Sequence, residues 1–119
     1  MLFQPLWRLL FTLYFGFLSW QLLTPVTIVN PGSWDKLIHF SAFFVLTVLA
    51  YLAWRKTSTS WRLLILFGYA ALTEILQYFI PGRSFSVIDW IADSLGVLAA
   101  IALSLYLSER NLFLNTKTP

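Results

Sequence analysis

Four apolar runs, each about as long as a bilayer core requires, constrain this chain more than any other feature. A hydrocarbon core of about 30 Å is crossed by roughly 20 residues of helix. Residues 6–23 (LWRLLFTLYFGFLSWQLL), 36–54 (KLIHFSAFFVLTVLAYLAW), 61–80 (WRLLILFGYAALTEILQYFI) and 87–107 (VIDWIADSLGVLAAIALSLYL) meet that length. Lipid offers no partner to a backbone amide, so each run must satisfy its own hydrogen bonds as a helix. The expected fold is therefore all-α, a four-helix transmembrane bundle. The breakers agree: Thr24-Pro25, Asn30-Pro31-Gly32, the polar turn Thr57-Ser58-Thr59-Ser60, and Pro81-Gly82 all fall between runs.

Composition decides the solvent. Only 11% of the 119 residues are charged, against 59% hydrophobic, with a mean hydropathy of +0.75. A soluble domain carries about 25% charged residues, so polar groups cannot cover this surface. The length allows one domain, expected over residues 1–110, with a short frayed tail at 111–119. A signal peptide over the first run, following Arg8, is disfavoured because the run is too long and no small-residue cleavage site follows. The net charge of +3 is dispersed and forms no basic stripe, which argues against nucleic acid as a partner. The absence of cysteine removes thiolate nucleophiles and cysteine metal sites.

Short loops rich in Lys and Arg stay cytoplasmic. Arg55, Lys56 and Arg62 flank the middle turn, Arg110 and Lys117 lie near the C-terminus, and Arg8 near the N-terminus. The other side has only Lys36 and Arg83. Both termini are thus expected in the cytoplasm, with loops 24–35 and 81–87 outside. Trp7, Trp20, Trp34, Trp54, Trp61 and Trp90 lie near the expected borders, as interfacial aromatics do.

On that topology the polar side chains are lopsided. Asp35, Lys36, His39, Glu74, Gln77, Arg83, Asp89 and Asp93 all fall in the outer half of the last three helices or their loop. Their inner halves, FVLTVLAYLA, LLILFGYAAL and GVLAAIALSL, carry no charge. Helical spacing places Asp35 with His39, Glu74 with Gln77, and Asp89 with Asp93. Glu74 lies about 9 Å below the outer end of its helix, at about 1.5 Å per residue. A charge at mid-bilayer costs about 2.5–3.5 kcal/mol and turns inward toward a partner, so Glu74 and His39 are expected to face the bundle interior. Ala92, Gly96 and Ala100 form a small-residue stripe that admits a close neighbour, and the two aspartates share it. Ser86 is the expected N-cap of the fourth helix.

The segments DKLIHFSAFFVL and EILQYFIPGRSFSVIDWIADSLG resemble the VanZ-like family of small bacterial membrane proteins. The resemblance covers about residues 34–105 and rests on Asp35, Lys36, His39, Phe40, Glu74, Gln77, Arg83, Ser84, Asp89, Asp93 and Gly96. Asp93 departs from the Asn often found there and adds a negative charge. The founding member is linked to low-level resistance to teicoplanin. The resemblance thus implies a cell-envelope role for a multi-pass protein of the bacterial cytoplasmic (inner) membrane, and no settled reaction.

Three readings follow. In the first, Asp35, Lys36, His39, Glu74, Gln77, Arg83, Ser84, Asp89 and Asp93 form an outward-facing pocket for a polar headgroup. Lys36 and Arg83 would hold phosphate or carboxylate, and the acids would hold amines or hydroxyls. Its ligands would be membrane lipids, a lipid-linked cell-wall precursor or a lipoglycopeptide. In the second, the chain is an intramembrane enzyme with His39, Glu74 or Asp89 as catalytic candidates and Ser84 a weak nucleophile. His39, Glu74, Asp89 and Asp93 could there ligate a metal. In the third, the polar groups only tie three helices together, although interhelical hydrogen bonds in membranes average about 0.6 kcal/mol. The first helix is expected to contribute mainly apolar packing.

Overall fold

The computed structural model describes residues 4–25 and 35–115, with side chains to residue 110. They form α1 (Gln4–Leu23), α2 (Asp35–Ala53), α3 (Thr59–Tyr78) and α4 (Val87–Asn115). All four are long and apolar enough to cross a membrane. The expected Asn30-Pro31-Gly32 break and Trp34 lie outside the described residues.

Boundaries agree with the apolar runs to within a few residues, except at the C-terminus. A frayed tail was expected from residue 111, yet α4 continues to Asn115. No Gly or Pro follows Gly96 until Pro119, so nothing interrupts the i→i−4 ladder. Ser58 caps α3 by accepting from the Trp61 N–H (3.3 Å). Ser86 caps α4 as expected, its Oγ accepting from the Asp89 N–H (3.2 Å). Gly82 has φ 81°, a left-handed conformation that glycine adopts cheaply in the turn following α3.

The helices form a ring in the order α1, α2, α4, α3, with α2 against α4 the most extensive pairing. Parallel α2 and α4 meet in register, Lys36 and His39 opposite Asp89 and Asp93, and Phe40 opposite Gly96. Gly96 explains the closeness. A Cβ there would run into the Phe40 carbonyl oxygen and would lie 3.1 Å from the Phe44 N. Only a residue without a side chain permits this seam.

The core is a single apolar cluster of Leu18, Leu22, Phe43, Leu46, Leu66, Ala70, Val97 and Ile101. Large apolar residues on the outer faces, including Leu13, Ile38, Leu64, Ile65 and Ile88, are exposed and suited to lipid. Three buried hydroxyls stay local: Thr47, Thr73 and Ser104 donate to the carbonyls of Phe43, Ala70 and Ala100 on their own helices, whereas the buried hydroxyl of Ser94 finds no partner among the described residues.

Helix C-termini in an apolar medium leave carbonyls without partners, and arginines answer them. Arg8 of α1 donates to the Ala53 carbonyl (3.1 Å), and buried Arg62 of α3 donates to that of Trp54 (2.8 Å), both at the end of α2. Cations also suit the negative end of a helix dipole. Arg62 further stacks on Tyr51, 5.2 Å from the ring centroid.

Candidate functional site

The N-termini of α2 and α4, the C-termini of α1 and α3, and the 79–86 loop meet at one end of the bundle. His39 is its pivot. It lies one turn into α2, is 7% exposed, and faces α4 because of the Gly96 seam. Its Nδ1 is 2.7 Å from Oδ1 of Asp93, which is 1% exposed. Its Nε2 lies 3.8 Å from Asp35 and 3.6 Å from Asp89. Lys36 bridges the same two carboxylates, at 3.3 Å from Asp35 and in contact with Asp89. Asp89 also stands in the first turn of α4, where the helix dipole favours an anion.

Glu74 enters from α3. It is 1% exposed, and its Oε2 accepts from the Ser86 N–H at 3.2 Å, fixing the approach into α4 from a neighbouring helix. One donor atom from each of His39, Glu74 and Asp93 lies within 4.8 Å of the others, and the same holds for Asp35, His39 and Asp89. Either triad has the nitrogen and oxygen donors that a divalent metal accepts.

Two expected members serve a different purpose. Gln77 donates to the Leu22 carbonyl (2.9 Å), and Arg83 to the carbonyls of Thr24 (3.0 Å) and Gln21. Together they close the C-terminus of α1. Burial lowers the Arg83 pKa, while the nearby carboxylates of Asp35 and Glu74 raise it; a guanidinium stays charged throughout. Ser84 is exposed in the loop and makes no hydrogen bond among the described residues, so a nucleophilic role gains no support from geometry.

The first helix does more than pack. Beside the polar cluster, a cavity of about 420 Å³ opens between α1 and α2. Asp35, His39, Arg83 and Gln21 line its polar end, and Tyr14, Phe17, Leu18, Leu22, Ile38, Ala42 and Phe43 its apolar side. Tyr14 donates to the Ala42 carbonyl (2.7 Å) and so sets the α1–α2 spacing along that wall. The spacing of Tyr14, Leu18, Gln21 and Leu22 is that of one helix face. The sequence carries that face, but nothing in its pattern distinguishes a lining from a packing surface.

A family model described as VanZ/LLP1 matches residues 2–108. The chain belongs to the VanZ/LLP1 family. The uncharacterized protein C11E3.10 of Schizosaccharomyces pombe is 32% identical over 82 residues, 66% of this chain and 51% of that protein. The chain thus spans about half the length of that relative. No solved structure matches it. The family match and the four helices together make this a VanZ-like multi-pass membrane protein, with relatives in a eukaryote as well as the bacterial members that the sequence resembles.

Proposed function

We propose that this VanZ-like protein recognises the polar head of a lipid-like molecule at the non-cytoplasmic face of its membrane, taken to be a bacterial cytoplasmic membrane. One observation carries the reading. The cavity between α1 and α2 runs from charged groups to a wall of aliphatic and aromatic side chains, which is the polarity profile of an amphiphile lying at a bilayer edge. Sites for small molecules are mostly apolar with a few placed polar groups.

The charges narrow the headgroup. Lys36 is engaged by Asp35 and Asp89, and Arg83 by the carbonyls of α1. With both cations engaged, the acceptors left at the cavity's polar end are Asp35 and, across His39 Nε2, Asp89. These favour an amine or hydroxyl-rich head over a bare phosphate. An aminophospholipid, an amino-sugar wall precursor on a lipid carrier, and a lipid-tailed glycopeptide such as teicoplanin share that chemistry.

The test is native mass spectrometry of the detergent-purified chain with phosphatidylethanolamine, phosphatidylglycerol, an undecaprenyl-linked amino sugar and teicoplanin. Retention of the amine-bearing members, lost in Ala42→Trp, is the expected result. Equal retention of all four, or none, rejects the reading.

A second reading is supported by the buried Asp93–His39 pair. A carboxylate holding one imidazole nitrogen while the other faces a cavity is the arrangement of a general base. Processing would then appear in the same spectra as a change of ligand mass that His39→Gln prevents.

A further inference from the structure

The headgroup reading uses the side of His39 that faces the cavity. Behind it lies a drier set of donors that the reading does not use. Glu74 and Asp93 are each 1% exposed, and each has an oxygen with no hydrogen-bond partner, Glu74 Oε1 and Asp93 Oδ2. An unsatisfied buried acceptor costs about 1–3 kcal/mol, and more when charged. Burying an ionised carboxylate costs several kcal/mol unless an opposite charge answers it. The permanent cations nearby are engaged elsewhere, Lys36 with Asp35 and Asp89, and Arg83 with α1. Two orphaned oxygens therefore sit on the side chains whose donor atoms converge with those of His39 within 4.8 Å.

We infer that His39, Glu74 and Asp93 form a buried site for one divalent transition-metal cation, held between α2, α3 and α4. One nitrogen and two carboxylates suit Zn²⁺, Mn²⁺ or Fe²⁺. Mg²⁺ keeps several of its waters and is poorly served by a dry pocket. Donors bound to one ion at about 2.0–2.2 Å stand roughly 3–3.5 Å apart. His39 Nδ1 and Asp93 Oδ1, at 2.7 Å, need only open slightly. The ion takes the Nδ1 lone pair with the imidazole proton on Nε2; a further proton, if Asp93 or the imidazole carries one, is released to solvent. A ligating histidine commonly donates its other N–H to a carboxylate. Here Nε2 already has Asp35 at 3.8 Å and Asp89 at 3.6 Å.

The experiment uses the full chain in lipid-free detergent, stripped with a chelator and titrated calorimetrically with Zn²⁺, Mn²⁺ and Mg²⁺. Headgroup binding plays no part in it, so the two proposals fail separately. Saturation at one Zn²⁺ or Mn²⁺ per chain is expected, with Mg²⁺ at least tenfold weaker. Glu74→Gln and Asp93→Asn should each weaken binding at least tenfold, and Glu109→Gln, on the far part of α4, should not. Substoichiometric or unsaturable binding by the wild type, or unchanged affinity in either monodisperse site variant, overturns the assignment. If neither variant folds, Co²⁺ added to the wild type decides: visible d–d bands saturating at one equivalent support the site, and their absence rejects it.

Discussion

The two ends of this bundle treat buried charge in opposite ways. At the Arg8–Arg62 end, the described buried cation has its acceptor: Arg62 reaches the Trp54 carbonyl and a tyrosine ring, and Arg8 reaches Ala53. The charges there close a helix end that lipid could not. At the His39 end, two carboxylate oxygens, of Glu74 and Asp93, and the hydroxyl of Ser94 are buried without a partner among the described residues. A structure whose charges served only to join helices would have matched them at both ends, as it does at one. Polar networks left incomplete are costly, and sites where local rules are broken are where function is expected. The contrast, more than any single residue, marks the His39 end as the functional one.

Four substitutions break or sharpen that contrast, read as unfolding free energy in detergent. The largest effect is expected from Gly96→Ala. Its Cβ would meet the Phe40 carbonyl oxygen and force α2 from α4, at about 2–3 kcal/mol by analogy with overpacked cores. It should also displace His39 from Asp93 while leaving the Arg62 end intact. Unchanged stability would mean that the seam is looser than described.

Next comes Arg62→Leu, which removes the guanidinium from the Trp54 carbonyl and the Tyr51 ring, although that carbonyl keeps the Thr57 N–H. A loss of about 1.5 kcal/mol is expected, the low end for a hydrogen bond from a charged group. The matching change at the other end, Glu74→Gln, should go the opposite way. In chelated protein it removes a buried charge, keeps an oxygen for the Ser86 N–H, and should raise stability by up to about 1 kcal/mol. A loss as large as that of Arg62→Leu would make the two ends alike and return the acidic cluster to a structural role. The smallest effect belongs to Lys36→Met. Lys36 is 45% exposed, and exposed ion pairs contribute about 0–1 kcal/mol, so a shift of at most about 0.5 kcal/mol is expected.

Much of this was legible in the sequence because lipid leaves few options. Twenty-residue apolar runs must be helices, and a charge within them must face inward, so the convergence of Asp35, His39, Glu74, Asp89 and Asp93 followed from spacing alone. The small-residue stripe around Gly96 likewise announced its close neighbour. What spacing does not carry is the partner of a long side chain. Arg83 and Gln77 read equally well as ligand-binding groups or as caps, and only the position of the α1 C-terminus chooses between them. Arg8 and Arg62 counted only as charges that set orientation, because a carbonyl left over by another helix is invisible along the chain. The share of α1 in the cavity was missed for a similar reason: an apolar face with one glutamine looks the same whether it lines a cleft or a core.

The closeness of α2 and α4 at Gly96 also has a mechanical meaning. Two helices whose backbones touch, one of them without a side chain to give way, respond to load as a single stiff plate. The α1 helix joins that assembly through Leu18 and Leu22 in the core and through discrete bonds of Arg8, Tyr14, Gln77, Arg83 and Ser19 with Tyr69. A wider cleft beside His39 therefore calls for a shift of α1, which Arg83 and Gln77 oppose at its C-terminus.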